Sequence, residues 1–284
     1  MNKFVLMPNP TKDVGLKVTN ILAEKLIYFG GEVYIDEKYG SEISSAVIKY
    51  SDFPERAELI IVIGGDGSVL DASVTAIERD IPLLGVNLGK VGYLSEVEPD
   101  NLDIMSRIFS GNYTIEEKML LSVSHVSFGS VTKSERLAVN DVIISHDTFL
   151  GIADFILENG VFDSVKYRAD GLILSTPAGS TAYSLSAGGP IVSHDIDCIV
   201  ATPICPHSFF NRSIIFNDNE NINIRNVSDT VLNVSIDGRY FASLSNTDEC
   251  LINASNKKLK VLTFLKSNMF STLFKKIRIL EDIK

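Results

Sequence analysis

The sequence predicts two unlike domains: an α/β domain built on a parallel sheet, then an all-β, sandwich-like domain. Three observations carry this expectation. Over roughly the first 115 residues, apolar runs of strand length alternate with stretches of helical periodicity, the order of a parallel α/β sheet. Beyond Tyr113, short β-rich runs follow one another, punctuated by Gly, Asn and Asp, with no long helical stretch between them. The segment Lys266 to Leu280 then reads as a helix with a mixed, basic polar face. Residues 1–115 are therefore expected to form the α/β domain and 116–262 the β-rich domain. Residues 263–284 are expected to form a helix that returns to pack on the first domain.

The elements follow in order. "KFVLM" is a first strand. Thr11 is the expected cap of a helix running to Phe29, with Val14, Val18, Ile21, Leu22 and Leu26 on one apolar face and Gly30-Gly31 closing it. "EVYI" is a second strand. "LIIVI" is a third, apolar at every position, as a central parallel strand covered on both faces should be. Ser68 to Arg79 is a predicted helix, with Val69 and Ser73 to Ile77 on its inner side. "IPLLGVN" is a fourth strand, and Asp100 to Phe109 a further helix. The strands of the second domain are "KMLLSVSHVSF", "RLAVNDVIIS", "DFILEN", "GLILST", "CIVATPI", "RSIIF", "NINIR", "VLNVSIDG" and "LKVLTFL".

Composition narrows the function classes. A chain of 284 residues, 45% of them hydrophobic, is long enough for two cored domains and too apolar for disorder. No run reaches the ~20 apolar residues of a membrane span. The short apolar stretch near Met1 reads as a strand and not as a signal-peptide core, so a cytoplasmic location is expected. Three cysteines (Cys198, Cys205, Cys250) without CxxC spacing suggest neither a disulfide framework nor a zinc site. None of the four histidines has metal-ligand spacing. A formal net charge of −10 argues against a nucleic-acid binder. It leaves room for a small anionic ligand, because backbone amides and one or two local cations suffice for a phosphate.

Two stretches carry chemistry. In "IIVIGGDGSVL" a buried-looking strand runs into a glycine turn and then a helix, the position of a phosphate site in an open α/β sheet. The turn holds a carboxylate, Asp66, at its centre, where it should repel a phosphate. Two readings are open. Asp66 caps the helix, or it accepts a proton from a hydroxyl or organises Mg²⁺ beside a transferring phosphoryl group. No GxGxxG is present, and "GVNLGKV" lacks the P-loop spacing. The second stretch, "DGLILSTPAGSTAYSLSAGGPIV", surrounds Tyr183 with Gly, Ser and Thr. It is either a surface loop rich in turn formers or a polar ligand site with one ring to stack on a base. Asn140-Asp141 in "AVNDVII" is likewise turn chemistry or a ribose clamp.

Taken in this order, the segments resemble the NAD kinase family. "GGDGS" is similar to the family's GGDG motif, and "GVNLGKVGYLSEV" to the run that follows it. "AVNDVII" is similar to its Asn-Glu/Asp motif, and "YRADGLILSTPAGSTAYSLSAGGPIV" to its longest signature; "TPICPHSF" and "SIDGR" match two further landmarks. The resemblance covers residues 58–240 and implies a Rossmann-like α/β N-terminal domain. It also implies ATP-dependent phosphorylation of the adenosine-ribose 2′-hydroxyl of NAD, giving NADP. Asp66 would be the proton acceptor, with Gly67 beside the substrate. Asn140 and Asp141 would hold ribose hydroxyls or the nicotinamide end, and Arg168 and Asp170 would line the same pocket. Thr181, Ala182, Tyr183, Ser184, Leu185 and Ser186 would enclose the adenine side.

The resemblance further implies a homodimer or homotetramer whose neighbouring subunit completes the pocket, with contributions from Gly151 and Ala178. No carboxylate cage is visible in the sequence, so Mg²⁺ would be held mainly by ATP phosphates and water. Inorganic polyphosphate remains open as an alternative donor. Neither a nucleic-acid nor a membrane partner is expected. The chain departs from the family pattern at Asp141, where Glu is commoner, at Ser213, usually proline, and at Arg239, often Gln. Gly151 also stands where some members carry a cationic or aromatic side chain. GGDG alone is shared with diacylglycerol, sphingosine and phosphofructo-kinases, which makes a lipid or sugar kinase one alternative. The other is a non-catalytic NAD(P) sensor. The GSTAYSLSAGGP run speaks against the first, and an acid within the phosphate turn against the second.

Overall fold

The structure, a computed structural model, describes residues 1–89, 92–146, 151–160, 164–207, 210–264 and 274. The chain divides into two compact units, Met1–Glu117 with Leu259–Lys284, and Lys118–Lys258.

In the first unit five strands, β1 (Lys3–Pro8), β2 (Glu32–Asp36), β3 (Ile48–Tyr50), β4 (Leu59–Gly64) and β5 (Leu83–Asn87), form a parallel sheet in the order β3-β2-β1-β4-β5. All six residues of β4 are buried, as its unbroken apolar run requires of a central strand. The first helix, α1 (Lys17–Tyr28), starts later than expected. Gly15 and Leu16 take left-handed conformations (φ 67° and 48°) that interrupt the chain after Thr11. The helix start is held by Asp13, whose carboxylate accepts the N–H groups of Val18 and Thr19 and the Thr19 hydroxyl. The inner face of α1 is Thr19, Leu22, Ala23 and Leu26, whereas Val14 and Ile21 are exposed. Its end matches expectation: Gly30, at φ 91°, donates to Ile27 O and Gly31 donates to Leu26 O, the paired bonds of a Schellman close.

Helix α2 (Asp66–Arg79) begins two residues before the predicted start and buries Val69, Ala72, Ser73 and Ala76. The expected helix at Asp100–Phe109 is a 3₁₀ segment, Pro99–Met105, followed by one α-helical turn, α3 (Ser106–Phe109).

The second unit is antiparallel. Its strands are β6 (Thr114–Ser127), β7 (Ser130–Ala138), β8 (Asp141–His146), β9 (Ala153–Glu158), β10 (Val165–Ala169) and β11 (Gly171–Ser175), then β12 (Cys198–Ile204), β13 (Ile214–Asn217), β14 (Ile222–Asn226), β15 (Leu232–Ile236), β16 (Arg239–Leu244) and β17 (Asp248–Thr263). One sheet runs β13-β12-β11-β8-β15-β16, a second set runs β10-β9-β14-β17, and β6 pairs with β7. Inward residues of both, among them Ile144, Leu172 and Val234 from the first and Phe155, Tyr167 and Ile224 from the second, share one core. That is the sandwich the alternating patterns imply. Strand β17 starts in this unit, but its last residues belong to the first, where Val261 pairs in parallel with Leu83 of β5.

Strands β3, β10 and β16 were not expected from the sequence. The predicted C-terminal helix lies outside the described residues apart from Phe274. No described helix is long and apolar enough to cross a membrane.

Candidate active site

The glycine turn leaves β4 at the carboxyl end of the parallel sheet, where open α/β sheets bind ligands. Gly65 is the N-cap of α2 and Asp66 its first residue, so Asp66 is not the helix cap. Its carboxylate turns to the segment that follows β5. Oδ2 accepts the Tyr93 N–H at 2.9 Å, while Oδ1 accepts the Leu94 N–H and the Ser95 hydroxyl, both at 3.2 Å. A carboxylate offers about four acceptor sites, so one remains on Oδ2. Gly92 makes this approach possible, because a Cβ there would overlap both the Ser95 hydroxyl and the Asp66 carboxylate.

Neighbouring groups shape the turn. Gly64 has no room for a side chain against Ser68, whose hydroxyl accepts Asn9 Nδ2 at 2.8 Å. Gly67 is exposed, and a Cβ there would meet nothing within 4 Å, so the protein's own packing does not require that glycine. Lys12 was not singled out from the sequence. Its ammonium lies where a Cβ on Gly65 would fall, and 3.4 Å from where one on Gly89 would be. The turn therefore combines helix-terminal amides, a cation and an acceptor carboxylate, the group types that phosphoryl transfer to a hydroxyl uses.

In the second unit Val139-Asn140 joins β7 to β8, and Asp141 is the first residue of β8. The Asn140 carbonyl accepts the Thr176 N–H at 2.9 Å, and the Thr176 hydroxyl donates to Val139 O at 2.7 Å. Gly179 packs so closely on the Asn140 backbone that any Cβ would overlap it. Asp141 is only 5% exposed. Burial first, and then the charge of Asp237, push its carboxyl up to about 7. Asp237 itself was named from the sequence only as part of a landmark.

The serine- and threonine-rich loop forms a 3₁₀ turn, Gly179–Thr181, and a short helix, α4 (Tyr183–Ser186). Several of its hydroxyls face inward instead of toward solvent. Ser180 donates to Pro177 O at 2.6 Å, Thr181 donates to Ala178 O at 3.2 Å, and Ser184 bonds Thr202 at 3.1 Å. Thr202 in turn bonds Ser213 at 3.0 Å, so the serine found where proline is usual ends a chain of hydroxyls beneath the loop. Tyr183 (45% exposed) and Ser186 face outward, with Ala182 and Leu185 half-buried. Ala178 is buried.

Arg168 and Asp170, at the end of β10 and the bend into β11, are exposed; Arg168 O accepts the His207 N–H at 2.7 Å and the Asp170 N–H donates to Ile204 O at 3.0 Å. Gly151 lies against the His146 imidazole, 2.6 Å from where its Cβ would be, so a larger residue there would displace that ring. Among the described residues no three His, Cys, Asp or Glu side chains converge as a metal-ligand set.

Comparison with known proteins identifies the family. The family profile described as ATP-NAD kinase N-terminal domain matches residues 6–113, and that described as ATP-NAD kinase C-terminal domain matches residues 139–264. An NAD kinase of Lachnoclostridium phytofermentans is 36% identical over 283 residues, covering 96% of this chain and 98% of that protein. An NAD kinase of Natranaerobius thermophilus is 35% identical, covering 98% of each. Among solved structures, yeast NADH kinase complexed with NADH superposes with a TM-score of 0.85 at 22% identity, covering 98% of this chain and 87% of that one. An NAD kinase from Archaeoglobus fulgidus in complex with ATP gives 0.74 at 24% identity, covering 98% and 99%. The structural matches speak to the fold, and the two profiles with the full-length relatives settle the lineage: the chain belongs to the ATP-NAD kinase family.

Proposed function

We propose that the protein transfers the γ-phosphoryl group of ATP to the 2′-hydroxyl of the adenosine ribose of NAD, giving NADP and ADP. The observation that carries this reading is Asp66. Its carboxylate is oriented by three donors and keeps one acceptor site, inside a glycine turn of an ATP-NAD kinase domain. In the reaction the substrate hydroxyl donates to Asp66 Oδ2, its O–H bond breaks, and its oxygen attacks the γ-phosphorus in line with the leaving ADP. The proton ends on Asp66. Such transfer asks little covalent chemistry of the protein, mainly positioning and neutralisation of charge. Amides at the start of α2 take part in that neutralisation. Mg²⁺ would be held by phosphate oxygens and water, with no protein carboxylate cage, and would supply the remaining neutralisation.

Asn140 and Asp141 bind ribose hydroxyls or the nicotinamide end, Arg168 and Asp170 line the same pocket, and Thr181 to Ser186 enclose the adenine, with Tyr183 offering its ring. Gly67 leaves space for the substrate. The inward hydroxyls of Thr181 and Ser184 shape that wall instead of contacting the base directly. Gly151 and Ala178 contribute to a pocket completed by a second subunit of a homodimer or homotetramer, and the protein acts in the cytoplasm. Incubating it with Mg-ATP or polyphosphate and either NAD or NADH, then measuring NADP or NADPH, tests the reaction and its donor together. A purified, folded protein that forms neither product overturns the proposal. Light scattering on dilution tests the assembly, and an active monomer removes it.

A further inference from the structure

Strands β15 and β16 are joined by two residues, Asp237-Gly238, both with positive φ (48° and 76°). This is the geometry of a tight hairpin turn in which Asn-Gly and Asp-Gly are favoured. The turn alone would be served equally well by Asn or Gly, yet the side chain here does more than tolerate the conformation. Its Oδ2 accepts the Val139 N–H at 2.8 Å, and its Oδ1 accepts the Asn140 N–H at 2.8 Å and the Asp141 N–H at 3.1 Å. The Asp237 N–H returns the contact, donating to Asp141 O at 3.0 Å. Three successive amides thus converge on one carboxylate, from a segment whose other side is pinned by Thr176 and Gly179.

We infer that Asp237 is a positioning residue for the NAD-binding pair: it fixes the backbone from which Asn140 and Asp141 present their side chains to the substrate. The inference rests on the NAD-phosphorylating reading above. A charged acceptor suits this task, because bonds to an ionised group are stronger than neutral ones and hold a short connection in one conformation. Its charge also reaches Asp141. Asp237 is the second cause, after burial, that lifts the Asp141 carboxyl, and Arg239 at the foot of β16 is the cation facing Asp237. Burial raises Asp237 as well, while the three amides and Arg239 act in the opposite direction. From β11 the residue paired with Asp141 is Ser175, which carries no charge.

The test uses variants that keep the turn and change the acceptors. D237N retains one oxygen, which can serve two of the three amides; D237G serves none. In the full-length protein we expect the KM for NAD to rise about tenfold in D237N and further in D237G, the scale of one or more lost charge-assisted bonds. The kcat and the KM for ATP should stay within about threefold, the pattern of lost substrate binding. The limb of the kcat/KM profile belonging to Asp141 should move to lower pH in D237N, because a like charge has been removed. A folded D237N with an unchanged KM for NAD and an unmoved profile overturns the inference and leaves Asp237 as turn chemistry; it decides the matter even where D237G does not fold. A wild-type protein that makes no NADP overturns the functional reading instead, and the same variants are then compared by NAD calorimetry, where equal affinities overturn the inference. Absence of NAD binding by the wild type overturns both.

Discussion

Replacing Asp66 with Asn separates proton acceptance from clamping, and the structure supplies the scale of each. The carboxylate holds Tyr93, Leu94 and Ser95 through three bonds. Asn keeps one oxygen with two acceptor sites and turns an amide toward a backbone N–H, so one donor loses its partner. Leaving it unpaired costs about 1–3 kcal/mol, toward the lower end for a half-buried site. At roughly 2–4 °C per kcal/mol for a chain of this size, Tm should fall by about 2–8 °C. Loss of the general base should lower kcat by ~10²–10⁴, or about 3–5 kcal/mol on the barrier, far more than clamping accounts for. The control is Ser95→Ala, which removes one donor and leaves the proton acceptor in place; its kcat should stay within about tenfold of wild type. The assay is NADP formation at saturating ATP and NAD, with Tm measured on the same samples. If D66N keeps more than a tenth of the wild-type kcat, or S95A loses as much as D66N, Asp66 is a clamp for residues 93–95 and not the base.

Further outcomes follow from other positions. Gly67→Ala should leave Tm unchanged or raise it, since Ala favours a helix by up to about 1 kcal/mol and meets no neighbour, while NADP formation drops; unchanged activity means that no substrate approaches there. Tyr183→Ala should raise the KM for NAD more than it lowers kcat, and an unaltered KM removes this ring from the site. For Asp141 the folded carboxyl is held up to about 7, above its ordinary 3.8, so the stability it contributes is full below 3.8 and lost as pH rises through about 7. Asp141→Asn stays neutral throughout. The Tm of the wild type should therefore fall relative to that variant between about pH 4 and pH 8, and parallel Tm curves would refute the shift.

Particular residues show what a sequence can carry. The parallel strands and the turn are legible because "LIIVI" leaves no polar face and the glycines interrupt it at once. The end of α1 is legible from Gly30-Gly31, but its start is not: nothing local announces that Leu16, an ordinary helix former, takes a left-handed conformation and hands the cap to Asp13. Val14 and Ile21 fit a helical stripe on paper and lie exposed: Val14 precedes the helix in a 3₁₀ turn, and Ile21 falls on the side opposite the buried Thr19, Leu22, Ala23 and Leu26. In the candidate site the residue types are visible but their directions are not. Ser180, Thr181 and Ser184 look like ligand donors in sequence, yet Ser180 and Thr181 spend their hydroxyls on carbonyls three residues back, and Ser184 bonds Thr202 of β12. Lys12 reaches the turn from the end of another strand, a proximity no local pattern encodes. The Asp-Gly pair after "VLNVSI" did carry a hairpin signal that would have announced β16. Its carboxylate's three amide partners, 96 to 98 positions earlier, were beyond any such rule.

The route of β17 has a consequence for biosynthesis. Because its terminal residues complete the parallel sheet, the first unit begins at Met1 yet cannot close until Leu259 and its successors have been made. Synthesis of the intervening residues 118–258 takes roughly 7–28 s at about 5–20 residues per second. Throughout that interval Gly85 and Asn87 of β5 are already bonded to residues 96 and 97, and the end of the strand at Leu83 presents an edge still waiting for Val261. Such an edge is a template for pairing with another chain. The nascent protein is therefore most exposed to aggregation while its second unit is being translated, and an amino-terminal fragment ending at residue 117 would retain that exposure permanently.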